Sequence, residues 1–82
     1  MKKIIKINLV GLKCPEPIMI LRKKIRLLKE GQIIHVLTDD FSSTRDIKIF
    51  CRFMKHILLS YSNQKNIQKH IIKVGKKIKK GQ

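Results

Sequence analysis

The sequence predicts a two-layer α/β sandwich in which two helices pack on one face of a four-stranded mixed sheet. Three observations support this fold class. The 82 residues suffice for one domain with a single modest core, the apolar periodicity alternates between strand and helix values, and the predicted elements follow the order β-α-β-α-β-β. No internal repeat or linker indicates a second domain. We therefore predict one domain over residues 1–82, in which residues 75–82 form a flexible basic tail with little to bury.

The first strand and the first helix are predicted from two successive apolar patterns. Alternating apolar residues indicate a strand over residues 4–10. The following helix is expected to begin at Pro15, whose fixed φ suits the first helical position, and to end near Lys29, with Gly31 as its C-terminal stop. Its apolar residues recur at helical spacing and are Ile18, Leu21, Ile25 and Leu28.

The middle of the chain predicts a second strand and a second helix. Residues 33–38 form a short apolar and β-branched run that is typical of a buried strand. Residues 39–43 are rich in Asp and Ser, which favour loops and helix caps. The second helix is expected to have Asp46 in its first turn, where a carboxylate interacts favourably with the helix dipole. Its apolar stripe consists of Ile47, Phe50, Cys51, Met54 and Leu58.

The C-terminal part predicts two strands, over residues 58–62 and 67–74, joined by a turn at residues 63–66. Strict alternation divides the last strand between two faces. Lys69, Ile71 and Lys73 share one side, and His70, Ile72 and Val74 share the other. We expect the face of the sheet without helices to carry many of the lysines.

The segment Gly11-Leu12-Lys13-Cys14-Pro15-Glu16-Pro17 places a cysteine between the first strand and the first helix. Cys14 is expected at or beside the N-cap, where unpaired backbone N–H groups and the positive end of the helix dipole favour a thiolate. Glu16 opposes this effect, whereas the basic residues at positions 22–24 leave the neighbourhood positive. We predict a reactive sulfur at Cys14, against the alternative of a small, buried and inert cysteine.

Other thiol and metal chemistries fit the sequence less well. Pro17 occupies the position at which a C-x-x-C dithiol needs its second cysteine. Cys51 belongs to the apolar stripe of the second helix, so we expect it to be buried. The two cysteines and the three histidines (His35, His56 and His70) do not match a zinc-ligand spacing, and no metal or organic cofactor is expected. His56 and His70 are expected to be structural or solvent-facing.

The compartment is predicted from the absence of a secretory signal in the sequence. The first residues carry charge but no apolar core segment of a signal peptide. We therefore expect a cytoplasmic protein in a reducing environment, where disulfides are uncommon. The sequence leaves a Cys14–Cys51 disulfide open, but a free thiol at Cys14 is the expectation. No apolar run is long enough to span a bilayer, and no membrane contact is expected.

The composition is strongly basic. Lys and Arg number 20 against 5 Asp and Glu, for a formal net charge of +15. Such a charge favours RNA or another anionic partner, although A- and T-rich codons for Ile, Lys and Asn produce the same bias without selection for RNA. Aromatic residues make up 5% of the chain, too few for a base-stacking platform. We expect the charge to assist encounters with acidic partners, with at most weak, non-specific RNA contact.

Two blocks of residues resemble the TusA family of sulfur carriers, also called the SirA-like family. The resemblance extends over about residues 11–58. The first block is Gly11-Leu12-x-Cys14-Pro15-Glu16-Pro17-x-Met19-x-x-Arg22-Lys23. The second comprises Gly31, Asp39-Asp40, Thr44-Arg45-Asp46-Ile47 and Phe50-Cys51-x-Phe53-Met54-x-His56.

The resemblance implies a β-α-β-α-β-β fold and a carrier that holds sulfur covalently as a persulfide on Cys14, rather than a turnover enzyme. It implies an IscS-like cysteine desulfurase as donor and the TusBCD relay (TusD/TusE-like) as acceptor, on the way to 2-thiolation of the tRNA wobble uridine. The residues at positions 15–17 (Pro15, Glu16 and Pro17) would support Cys14.

Three basic residues are candidates for partner docking: Arg22, Lys23 and Arg45. A solvated helix face explains Arg22 and Lys23 about as well. Helix capping and local ion pairing explain Arg45 and Asp46, and a contact surface near the Cys14 loop is the alternative for this pair. Met19 is expected to pack at the core or its rim. The alternative function is a small basic RNA-binding module in which the cysteine is incidental.

Overall fold

The computed structural model describes residues 4–76, which form four strands and two helices. Their bounds are β1 (Ile4–Asn8), α1 (Glu16–Arg26), β2 (Ile33–Thr38), α2 (Phe41–Phe53), β3 (Ile57–Gln64) and β4 (Ile67–Lys73). The strand order in the sheet is β1-β2-β4-β3, with β1 parallel to β2 and β4 antiparallel to both of its neighbours. The predicted four-stranded mixed sheet with two helices is confirmed. Neither helix is both long and apolar enough to cross a membrane.

The core lies between the helices and one face of the sheet. Alternate residues of β2 and β4 point into it and are buried, as the period-two pattern requires. Residues four apart along each helix line the facing surfaces, as the 3.6-residue repeat requires. The buried apolar side chains are Ile7, Leu9, Leu21, Ile25, Ile34, Val36, Ile47, Cys51, Ile72 and Val74.

The opposite face of the sheet is not covered by either helix. Lys6 pairs with His35 across β1 and β2, and His35 pairs with Ile71 across β2 and β4. Lys69 and Lys73 lie on the same face, two residues to either side of Ile71. The predicted division of β4 between two faces is therefore confirmed. Within residues 4–76 the uncovered face carries three lysines, Lys6, Lys69 and Lys73, and so holds only a minority of the lysines in that range.

Both predicted helices have different ends in the structure. Helix α1 ends at Arg26, three residues before the predicted end. Helix α2 begins at Phe41, because Asp40 is extended and takes the N-cap position. The prediction that Asp46 lies in the first turn of α2 is therefore wrong, since it lies in the second turn. Leu58 belongs to β3 and not to the helical stripe.

The turn between β3 and β4 and the residues that follow β4 also differ from the prediction. The turn needs only Lys65 and Asn66, which both have positive φ (51° and 65°), the conformation of a tight two-residue hairpin. Gly75 is not part of a loose tail, because its N–H donates to His56 Nδ1 at 2.9 Å. A Cβ at position 75 would overlap the Lys55 carbonyl. The remainder of the predicted tail, residues 77–82, lies outside the described residues.

Candidate functional site

The two cysteines have opposite environments. Both are free thiols, and Cys14 is exposed in the loop before α1, whereas Cys51 is 1% exposed within α2. Burial raises the pKa of the Cys51 thiol to about 11. Cys51 is therefore a core residue, as its position in the apolar stripe predicts. An incoming sulfur donor can reach Cys14 alone of the two.

The loop that carries Cys14 is held by the two aspartates that follow β2. The Gly11 N–H donates to Asp39 Oδ1 at 3.0 Å, and the Cys14 N–H donates to Asp40 Oδ2 at 2.8 Å. Because β1 and β2 are parallel, their carboxyl ends lie at the same edge of the sheet, and the loops that follow them meet there. Backbone pairing between the strands thus brings sequence-distant residues to Cys14.

Asp40 is an acceptor for two donors at once. Its Oδ2 also accepts a hydrogen bond from Ser43 Oγ at 2.8 Å. The hydrogen bond from the Cys14 N–H, followed by that from the Ser43 hydroxyl, lowers the pKa of the Asp40 carboxyl. Asp40 is therefore an ionised anchor that ties the backbone of Cys14 to the start of α2.

The sulfur of Cys14 has a different partner. Its Sγ–H donates to Asp46 Oδ2 at 2.9 Å. This hydrogen bond, slight burial and the charges of Asp46 and Asp40 raise the pKa of the Cys14 thiol, and the charge of Arg45 opposes them. A carboxylate beside the sulfur disfavours a second negative charge there. The contact with Asp46 therefore favours the thiol form of Cys14 over the thiolate.

The expectation that the helix N-terminus favours a thiolate is therefore wrong. Pro15 is the N-cap of α1, so Cys14 lies one residue before the cap, and the Cys14–Pro15 peptide bond is cis. Pro15 and Pro17 have no N–H to offer the sulfur. The Glu16 N–H donates to the Lys13 carbonyl at 2.9 Å. Of the first N–H groups at this helix end, two are missing at the prolines and that of Glu16 is engaged, whereas the side chain in contact with the sulfur is the carboxyl group of Asp46.

The residues predicted to support Cys14 contribute unequally. Pro17 is buried against the core in the first turn of α1, so its main role is packing. Pro15 and Glu16 are exposed beside Cys14. Glu16 stands in the first turn, where its carboxylate suits the helix dipole.

The predicted docking residues are all exposed. Arg45 is close enough to Cys14 to influence its protonation, and Arg22 lies on the outer surface of α1. Lys23 borders a shallow groove on the outer side of α1. Met19 is 52% exposed and belongs to the same groove, so the prediction that it packs in the core is wrong. The groove is formed by Leu12, Glu16, Met19, Ile20 and Lys23.

His56 and His70 are buried and belong to the packed interior. His70 is fully buried, with Nδ1 3.2 Å from the Val36 carbonyl and Nε2 3.2 Å from Thr44 Oγ1. His56 is 7% exposed and accepts the Gly75 N–H. The solvent-facing alternative is wrong for both. Within residues 4–76 no group of three or more His, Cys, Asp or Glu side chains is placed to hold a metal ion.

The sequence did not predict that two carboxylates contact Cys14 directly. Asp40 was expected only in a loop that caps a helix. Asp46 was explained by capping, the helix dipole and local ion pairing, with a surface near the Cys14 loop as the alternative. A signal was present, because Asp39 and Asp40 follow a strand predicted to neighbour the strand before Cys14. The position of Asp46 depends on where α2 begins, and the predicted start was several residues late.

Comparisons with known proteins agree with this architecture. The sequence model of the family described as sulfurtransferase TusA matches residues 5–74, most of the chain. Among solved structures, the chain is similar to the SirA-like protein from Desulfitobacterium hafniense, with a TM-score of 0.77 and 22% sequence identity. The alignment covers 90% of this chain and 100% of that chain. The structural likeness shows a common fold, and the sequence match shows that the chain belongs to the sulfurtransferase TusA family.

Proposed function

We propose that the protein accepts sulfane sulfur as a persulfide on Cys14 from a cysteine desulfurase. It then relays this sulfur through a TusBCD-type complex toward 2-thiolation of the tRNA wobble uridine. Membership of the TusA family supports the sulfur-carrier role. The donor, the relay and the tRNA product are carried over from the resemblance.

The single observation that carries the proposal is the placement of Cys14. Its sulfur is exposed, and its backbone is anchored by Asp40 at 2.8 Å. An exposed sulfur on a backbone held at a sheet edge can be presented to one protein partner and then to another. Sulfur exchange requires such exposure, because the attacking sulfur must approach the donor along the S–S axis.

Cys14 acts as both nucleophile and cargo site in this function. Its sulfur attacks the terminal sulfur of the donor persulfide, and the departing donor cysteine leaves as a thiolate. The sulfane sulfur then resides on Cys14 until an acceptor cysteine attacks it in turn. The sulfur atom passes directly from one cysteine side chain to the next.

We predict that Cys14 accepts sulfur and that Cys51 does not. Incubation with a cysteine desulfurase and free cysteine should add the mass of one sulfur atom, and a reductant should remove it. The gain should persist in Cys51→Ala and disappear in Cys14→Ser, because only Cys14 is exposed. Intact-mass spectrometry provides the measurement. A gain that follows Cys51 would show that the site assignment is wrong.

The downstream route requires a separate experiment. A desulfurase, the carrier, a TusBCD-type relay and the tRNA-modifying enzyme should together convert the wobble uridine of a substrate tRNA to 2-thiouridine. Replacing the carrier with its Cys14→Ser variant should abolish the product. Formation of 2-thiouridine at the same rate without the carrier would rule out the tRNA route while leaving the chemistry at Cys14 intact.

A further inference from the structure

The hydrogen bond between Cys14 and Asp46 has a consequence for how sulfur is accepted. A protonated thiol is a poor nucleophile, because the thiolate is the form that attacks sulfur. The resting Cys14 must therefore lose its proton as the new bond forms. The group in contact with that proton is Asp46 Oδ2, 2.9 Å from the sulfur.

The other ionisable groups near Cys14 are less well placed. Asp40 contacts the backbone of Cys14, and its Oδ2 is occupied by two donors, the Cys14 N–H and the Ser43 hydroxyl. Arg45 carries a positive charge and cannot accept a proton. Lys13 and Glu16 are exposed on the loop and first turn that flank Cys14. Asp46 alone among these groups is hydrogen-bonded to the sulfur in the structure.

We propose that Asp46 is the catalytic proton acceptor for Cys14, holding the sulfur as a thiol at rest and taking its proton when a persulfide donor arrives. This inference rests on the proposed sulfur-carrier function. Asp46 lies on α2, whereas Cys14 precedes α1, so docking of the helices against one another assembles the pair.

The proposed step balances in atoms and charge. Cys14 Sγ bonds to the terminal sulfur of the donor persulfide, and the bond between that sulfur and the donor cysteine breaks. The Cys14 proton moves to Asp46 Oδ2, and the donor cysteine leaves as a thiolate. The transferred sulfur keeps its oxidation state, so no external oxidant or reductant takes part. Asp46 returns to its carboxylate form by losing the proton to solvent or to the departing thiolate.

The test compares two reactions of the same sulfur in Asp46→Asn. Alkylation by iodoacetamide depends on the thiolate and needs no base at the site. It should become about threefold faster near pH 7, with its pH profile shifted to lower pH, because a negative charge beside the sulfur is removed. Sulfur acceptance from the desulfurase should instead slow roughly tenfold or more, because the proton acceptor is lost.

A matched control is Glu30→Gln, which removes one carboxylate from the turn after α1. Both of its rates should equal those of the unmodified protein. Both proteins should carry Cys51→Ala so that only Cys14 is observed. Circular dichroism should show the same folded spectrum for all variants.

Two outcomes would overturn the proposal. Faster alkylation together with equal or faster sulfur acceptance would show that Asp46 restrains the thiol without accepting its proton. An unshifted alkylation profile would show that the hydrogen bond has no effect on the sulfur. Both outcomes are judged against the protein with an intact Asp46, which must itself accept sulfur. If that protein gains no sulfur, the result contradicts the proposed carrier function and not the role of Asp46.

An infrared measurement tests the same pair without changing Asp46. In the Cys51→Ala background, the S–H stretching band of Cys14 should lie below that of a free thiol, because the bond is polarised toward a carboxylate. A band at the position of a free thiol would contradict the proposal, including in the case where Asp46→Asn does not fold.

Discussion

At the scale of single residues, environment and not residue type decides the chemistry. Cys14 and Cys51 carry the same thiol, yet one is exposed beside a carboxylate and the other is enclosed by the core. The histidines show the same contrast. His70 is buried as part of the core between Val36 and Thr44, whereas His35 lies on the uncovered face of the sheet.

The environments of His70 and His35 predict how the free energy of unfolding depends on pH. Burial lowers the pKa of His70, and it also lowers the pKa of His35, which Lys69 and Lys6 depress further. Below the ordinary value of 6.5 the unfolded chain therefore binds more protons than the folded one. The free energy of unfolding should be largest above that value and should decrease as the pH falls toward 5.

Urea unfolding at several pH values measures this dependence. The free energy of unfolding should depend less steeply on pH in His70→Gln and in His35→Gln. Each variant removes one histidine whose pKa is lowered in the folded protein. Identical slopes in the parent and both variants would show that neither histidine governs the loss of stability in acid.

At the scale of elements, the parallel pairing of β1 and β2 builds the site. Each strand ends at the same sheet edge, so the Cys14 loop lies beside Asp39 and Asp40. Helix α2 then adds Asp46 from its second turn. Helix α1 contributes packing through the residues that face the core.

Helix α1 offers a direct comparison of a buried and an exposed leucine. Leu21 is fully buried, and Leu27 at the C-cap is 82% exposed. Leu21→Ala should lower the free energy of unfolding by about 3 kcal/mol, because it removes apolar contacts and leaves a cavity. Leu27→Ala should change it by less than about 0.5 kcal/mol.

Urea unfolding of both variants gives the comparison. Equal losses of stability would contradict the packing of α1 on the sheet. The intact-mass assay for sulfur acceptance does not depend on this result. If Leu21→Ala is less stable but still accepts sulfur at low temperature, Leu21 contributes to packing and not to the chemistry at Cys14.

At the scale of the whole molecule, charge is unevenly distributed. All five carboxylate side chains belong to the helices and the loops at their ends, and the uncovered face of the sheet carries Lys6, Lys69 and Lys73. A net charge of +15 favours encounters with any polyanion. Aromatic residues that could stack on bases are scarce, so such encounters lack a means of base recognition.

We therefore predict weak tRNA binding that weakens steeply with salt and is unchanged in Cys14→Ser. Sulfur acceptance should show a different response. The association rate with the desulfurase should fall with salt, while the amount of sulfur carried at saturation stays constant. Fluorescence anisotropy with labelled tRNA and stopped-flow mixing with the desulfurase provide the two measurements. A tight complex with one particular tRNA at physiological salt, indifferent to Cys14, would favour the RNA-binding module over the carrier.

The sequence by itself determined the element order, the exposed position of Cys14 between the first strand and the first helix, the burial of Cys51 and the division of β4 between two faces. Each of these depends on local periodicity or on residues adjacent along the chain. The tertiary structure alone decided that the sulfur meets Asp46 and not the N–H groups of a helix. Cys14 and Asp46 are far apart in sequence, so their contact depends on strand pairing and on the residue at which α2 begins. A hydrogen bond of 2.9 Å is lost when either side chain moves by about an ångström, and sequence periodicity does not define positions that finely.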